Sequence, residues 1–422
     1  MSFVQYDPAR QKGVSVIESL RAGIPTRLST RELPDLRPSL TELVRTDLER
    51  FIKKCLPVPG HLIWGQYGQG KTHALTTIEH LALDMGFAVS RVTLSREVSL
   101  HNFLNFYRRI ASNIRFPNSR IPGLLGPLSR MRRGDLPRTL IQKNDRYSHP
   151  LPAIVLEDLL EVYGEEQDKL YSFLMGINSP IAELRRIHRE SRHEAMPPFQ
   201  RRFRRSVDSV ALMNLLADVT RFCGFNGWVI LIDEVELVGR LGKVSRVKAY
   251  LNLTEMLQWD KVPAYPFYTV GAVASDLQDN QWYLAGPKQG DTEILPEAAR
   301  NSFDDEASKR LTRFFSRAME DGHCPTIRPV GKEDLVRLLE RVRDFHGIAY
   351  SWQPRLDVQE VIVKIGEKPI RTHIRATLET LDLQLLTGEH SVPVADQLVE
   401  GKLEEDESFL AVDEIEEEPD EK

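Results

Sequence analysis

Apolar residues recur at helical spacing in QKGVSVIESLRA (11–22) and again in LTELVRTDLERFIKKC (40–55), with the proline-containing stretch IPTRLSTRELPDLRP between them. The pattern predicts an N-terminal helical segment. The period then changes. HLIW (His61–Trp64) is a short apolar run that predicts a buried strand, followed by a glycine-rich loop and a helix from Lys71 to about Met85. FAVSRVTL (87–94), Trp228–Ile232 and PFYTVGAVA (266–274) predict three further strands, each apolar and rich in β-formers. Continuous apolarity suits a parallel sheet covered on both faces. TIRPV (326–330) is a weaker fifth candidate, before helices expected over Glu333–Phe345 and from Ile370 to about Leu386.

Lys71 and Asp233 stand 162 positions apart, whereas two βα units of roughly 30 residues each would separate the first and third strands by about 60. The excess follows Leu94, where VLEDLLEVYG and DKLYSFLMGI have helical patterns. The expected organisation is an N-terminal helical segment (1–56), an α/β core (57–330) with a long, mostly helical insert at about 95–205, a C-terminal helical lid (331–390) and an acidic disordered tail (391–422).

Composition narrows the classes. A chain of 422 residues, 41% apolar and 28% charged, is of ordinary globular make-up and long enough for two or three domains. Cys55, Cys223 and Cys324 form no CxxC pair, which argues against a disulfide framework or zinc ribbon. The opening MSFVQYDPARQKG lacks the apolar stretch of a signal peptide, and no run approaches the roughly 20 apolar residues of a membrane span, so a cytoplasmic location is expected. The net charge of −5 conceals an asymmetry: residues 400–422 carry −10, leaving +5 on residues 1–399.

The chemistry is concentrated in GQYGQGKT (65–72), a G-x-x-x-x-G-K-[ST] match placed between a strand and a helix. Such a loop lets main-chain N–H groups and a positive helix end face an anion. Gly65, Gln66, Tyr67, Gly68, Gln69, Gly70, Lys71 and Thr72 are the candidate nucleotide cradle; Lys71 is placed to reach the β and γ phosphates, and Thr72 to offer its hydroxyl to Mg²⁺. VILIDE (229–234) ends an apolar run in two acids. Asp233 is the candidate for the Mg²⁺ shell, and Glu234 for the base that polarises the attacking water. The expected cofactors are therefore ATP and Mg²⁺. Glu236 carries less weight. Ser275 ends the fourth strand as a candidate sensor of the lytic water, Arg371 and Arg375 share a face of the last helix, and Arg310, Arg313 and Arg317 share another as candidate arginine fingers.

GQYGQGKTH, VILIDEVELVGR, the opening VSVIESLRAGIPTR and the closing KPIRTHIRATLETLD together resemble the ATP-binding, BrxD-like proteins of bacterial phage-exclusion (BREX) defence systems, over about residues 11–387. The resemblance implies a P-loop NTPase of AAA+/ASCE-like, origin-recognition type. By position it makes Gly65, Gly70, Lys71 and Thr72 the Walker A residues, Asp233 and Glu234 the Walker B residues, and Arg371 the lid arginine. It also implies DNA-directed antiviral work beside helicase, methyltransferase or nuclease partners, with homo-oligomerisation left open. Gln66 and Gln69 depart from the small residues common in such loops, and the acidic tail has no counterpart.

Residues 108–147 carry a local charge of +8, and Arg185, Arg186, Arg189, Arg192, Arg201, Arg202, Arg204 and Arg205 form a second basic cluster. Such stretches neutralise phosphates, with Phe106, Tyr107 and Tyr147 as candidate stacking groups, so DNA contact through the insert is expected; a solvated surface or a dock for an acidic partner is the alternative. For the whole chain the leading expectation is an ATPase that loads, moves or licenses partners on DNA. The alternatives are a slow ATP-dependent assembly switch and a small-molecule kinase.

Overall fold

The computed structural model describes residues 7–23, 26–54, 58–119, 121–131, 136, 147–177, 179–260, 265–283, 289–320 and 322–388. Four strands, β1 (His61–Gly65), β2 (Ala88–Thr93), β3 (Trp228–Asp233) and β4 (Phe267–Ala274), pair in the order β1-β4-β3-β2, and every pairing is parallel. β3 and β4 are buried along their whole length, as strands with both faces covered must be. All four lie within two residues of their predicted positions.

The fifth candidate is different. Only Thr326 makes a bridge, parallel to Trp64, although Leu62 and Trp64 donate to the His323 and Pro325 carbonyls and Ile327 donates to that of Trp64. Pro325 and Pro329 have no N–H to give a ladder, so this edge stays irregular.

One sheet face is covered by α3 (Pro38–Lys54) and α4 (Lys71–Asp84), whose Val44, Leu48, Leu75 and Ile78 pack on Ile63, Leu231 and Val270. On the other face Trp64, Ile230 and Val273 join one large core. That core takes in the insert helices α5 (Phe103–Ser112), α6 (Leu125–Leu128), α7 (Leu151–Leu159), α8 (Glu165–Leu174) and α9 (Ile181–Arg192). It continues into α10 (Arg205–Phe222), α11 (Lys243–Leu257), α12 (Asp291–Ser302) and α13 (Asp305–Arg317).

A separate core is made by the two ends of the described chain. Val16 and Ile17 of α1 (Pro8–Arg21), with Leu33 and Leu36, pack on Leu338, Leu339 and Val342 of α14 (Lys332–Tyr350), Val361 of α15 (Val358–Ile365) and Leu381 of α16 (Ile370–Thr387). Gly13 permits the approach, because a Cβ there would stand 3.0 Å from the Ala349 backbone nitrogen. The linker expected between the first two helices contains a further short helix, α2 (Arg27–Glu32), capped by Thr26 and Ser29. Its six residues are too few for hydrophobic periodicity to reveal. Among the described residues no helix is long and apolar enough to cross a membrane.

Candidate functional site

β1 ends at Gly65, and the chain turns through Gly68 (φ +75°) and Gly70 (φ +89°) into α4. Those two positions demand the left-handed region that glycine enters without strain. Gly70 caps α4 with no side-chain hydrogen bond, so the first amides of that helix face the loop with their partial positive charge uncovered by a cap. Lys71 lies back along the loop: its Nζ donates to the carbonyls of Gly65 (3.0 Å) and Gln66 (3.3 Å) and sits 5.2 Å from the Tyr67 ring centre.

The two glutamines close on one another. Gln69 Oε1 accepts the Gln66 backbone N–H at 3.0 Å, Gln69 Nε2 donates to Gln66 Oε1 at 3.3 Å, and Arg37 holds the Gln69 carbonyl at 3.0 Å. Arg37 also borders a half-open cavity of about 590 Å³ lined by Leu36, Leu40, Ile63, Ile327 and Pro329; no residue of the 65–72 loop lines it.

The acids stand at the tip of β3, two strands from β1. Asp233 is 3% exposed; its Oδ1 accepts the Glu234 N–H at 3.2 Å and its Oδ2 accepts from Arg91 at 3.2 Å. Arg91 also donates to the Thr76 hydroxyl at 2.6 Å and reaches the Thr72 carbonyl at 3.5 Å. The end of the acid strand and the first turn of the loop helix are therefore held by one guanidinium. Glu234 has φ +60° and ψ +38°, a left-handed conformation costing a non-glycine residue about 1–2 kcal/mol. Burial raises its carboxyl above the ordinary range, the neighbouring Glu236 and Asp233 charges raise it further, and Lys71 pulls it back. More basic carboxylate is what a general base at neutral pH requires. Glu236, raised mainly by burial, accepts the Ala274 N–H at 3.0 Å and so ties the turn after β3 to the end of β4.

Ser275 is tied to β1, since its N–H donates to the Gly65 carbonyl at 3.2 Å. Its side chain borders a smaller cavity of about 170 Å³ with Trp64 and Thr326. The start of α16 lies over the loop: a Cβ at Gly68 would meet Pro369 at 3.1 Å, and one at Gly70 would meet Ile370 at 4.0 Å. Arg371 itself is turned to the Gly23 carbonyl, 2.8 Å away, rather than into the loop. Arg375 lies 3.3 Å from Glu379. Among the finger candidates, Arg310 pairs with Asp260, Arg313 with Glu306 at 2.6 Å, and Arg317 donates to the Trp259 carbonyl.

Residues 9–125 match the family model of the BREX system ATP-binding protein BrxC/D. No curated protein matches the chain. The BrxC/D match takes in the whole phosphate loop, α4, Arg37 and Arg91; the acids of β3 lie beyond it.

Thr72 and Asp233 offer the hard oxygens that a magnesium ion takes, one from a hydroxyl and the other from a carboxylate. Arg91 and Arg37 escaped the sequence reading. The signal for Arg91 was there, a lone charge inside the apolar run FAVSRVTL, which a buried strand tolerates only with a partner.

The expected base-stacking groups are corrected. Phe106 and Tyr107 are 0% exposed and Tyr147 is 4% exposed. Phe106 and Tyr107 lie on the apolar face of α5, and the Tyr147 hydroxyl is bound to Asp218 at 2.6 Å, so none presents a ring to solvent. Of the second basic cluster, Arg186 pairs with Glu166 and Glu183, Arg192 with Asp158, and Arg201 with Asp208. Arg120, Arg132, Arg133, Arg138, Lys143, Arg146 and the acidic tail lie outside the described residues.

Proposed function

We propose that the chain is a Mg-ATP-binding and ATP-hydrolysing AAA+ type protein of the BREX defence system, working on or near DNA. The observation that carries this reading is the Arg91 bridge, which joins Asp233 to Thr76 and to the Thr72 carbonyl at the start of α4. The family match supports ATP as the nucleotide.

In the proposed reaction ATP's phosphates lie against the amides of residues 66–72, and Lys71 leaves the Gly65 and Gln66 carbonyls for the β and γ oxygens. Thr72 and Asp233 would hold Mg²⁺, which supplies charge neutralisation at the phosphates. Glu234 takes the proton of the attacking water, and its raised basicity favours that role. Ser275, fixed beside Gly65, and Arg371 are the proposed γ-phosphate contacts from the sheet and the lid. Arg371 must first release Gly23.

The second reading, a slow ATP-dependent assembly switch, draws support from the Gln66–Gln69 pair, which closes the loop on itself. Phosphate release measured with and without duplex DNA separates the two. A hydrolysing enzyme gives DNA-stimulated turnover that is lost in Lys71→Ala and falls by about 10²–10⁴-fold in Glu234→Ala. Protein that binds ATP, assembles, and shows no stimulated turnover would establish the switch instead.

A further inference from the structure

β2 carries one charged side chain, Arg91, only 19% exposed and flanked on its strand by Ser90 and Val92, both buried. Its three acceptors are Thr76 Oγ1 at 2.6 Å, Asp233 Oδ2 at 3.2 Å and the Thr72 carbonyl at 3.5 Å. The other Asp233 oxygen accepts the Glu234 amide, so both carboxylate oxygens already have a donor, and Arg91 sits on one that a cation would otherwise meet. Asp233, Glu234 and Glu236 crowd the same strand end, the first buried and the other two half-buried. Such a group of acids is costly without a counter-charge. The chain supplies one from β2.

We propose that Arg91 is a built-in counter-ion of Asp233 that competes with magnesium for the carboxylate, so that nucleotide binding depends only weakly on the metal. The inference rests on the ATP-site reading above and adds to it a positioning residue and a metal dependence. Two features favour competition over a passive tie. Arg91 sits on the carboxylate oxygen itself rather than on its backbone. Thr76, one turn along α4 from Thr72, anchors the other end of the guanidinium, so it can release Asp233 without leaving the site. A monocation held this way yields to a divalent cation arriving with a triphosphate, because the Coulomb attraction grows with charge.

The test is binding of a fluorescent ATP analogue to the full chain, in excess EDTA and in millimolar MgCl₂, reading the ratio of the two dissociation constants. In the wild type the ratio is expected below about tenfold. Arg91→Gln removes the internal cation, weakens binding in EDTA and raises the ratio by about tenfold or more, a change equivalent to about 1.4 kcal/mol. Arg91→Lys, which keeps the charge, is expected to restore the wild-type ratio, and Asp233→Asn in the same chain is expected to abolish the effect of Arg91→Gln. If Arg91→Gln weakens binding equally with and without magnesium, Arg91 only braces the fold and the inference is overturned. Should that variant not fold, Thr76→Val, which unpins the guanidinium, carries the comparison, and an unchanged ratio there overturns the inference too. Wild-type protein that retains no analogue under either condition would sink the ATP-site reading itself, a result distinct from binding with an unaltered ratio.

Discussion

His73, two residues past the loop lysine, is half-buried in α4, and its shielded Nε2 has no hydrogen-bond partner among the described residues. Burial lowers its imidazolium from the ordinary 6.5 to about 4. The unfolded chain therefore binds a proton between those values while the folded chain does not, so stability falls as pH drops below about 6.5 and the full cost is reached below about 4. A shift of that size is worth about 3 kcal/mol. His73→Leu is expected to abolish this contribution, seen as a flatter acid limb in urea titrations from pH 7 to 4; an acid limb identical to wild type would exclude His73 as its source. Asp291 works in the opposite sense. Burial raises its carboxyl to about 6, so it costs stability as pH rises through the window from 4 to 6, and only the difference between variant and wild type isolates the histidine.

At the scale of elements, the strands were legible because burial on both faces leaves them continuously apolar, and β3 and β4 are apolar from end to end but for Asp233 and Thr269. The turn from β1 into α4 was legible because its geometry demands glycine at 68 and 70. What escaped was set by contacts across more than a hundred residues. Nothing local in VSVIESLRAG says that its apolar stripe meets α14, and nothing in LVRLLERVRDF says that it needs α1. The Arg371 role was drawn from position alone, and its Gly23 contact spans 348 residues. Ile17→Ala tests the α1 contact. Ile17 is fully buried against the C-terminal helices, so the substitution is expected to cost about 2–5 kcal/mol, measured by denaturant unfolding. A loss under about 0.5 kcal/mol, the size of a surface change, would show that α1 is dispensable there.

For the whole molecule the same packing couples the ends of the chain to the site. Pro369 and Ile370 at the head of α16 lie over the loop glycines, while the body of α16 shares its core with α1. A ligand in the loop is therefore expected to protect amides of α16 and α1 as well as those of α4. At a hundred times its dissociation constant it adds about 2.7 kcal/mol, which slows exchange through global opening by about a hundredfold. Hydrogen exchange with and without an ATP analogue and MgCl₂ checks this; protection confined to α4 would mean that the lid is energetically separate. Burial of Phe106, Tyr107 and Tyr147 removes base stacking by these residues, so any binding through the insert should be electrostatic and fall steeply with salt.

The pairing of α1 with α14 also sets an order of events during synthesis. Arg10 donates to the Ala349 carbonyl at 3.2 Å across 339 residues, so α1 leaves the ribosome long before its partner exists. Until then Val16 and Ile17 have no core to enter, and at translation rates of about 5–20 residues per second the wait is tens of seconds. A helix made early is thus buried late, and its apolar stripe stays open to other contacts until α14 has been made.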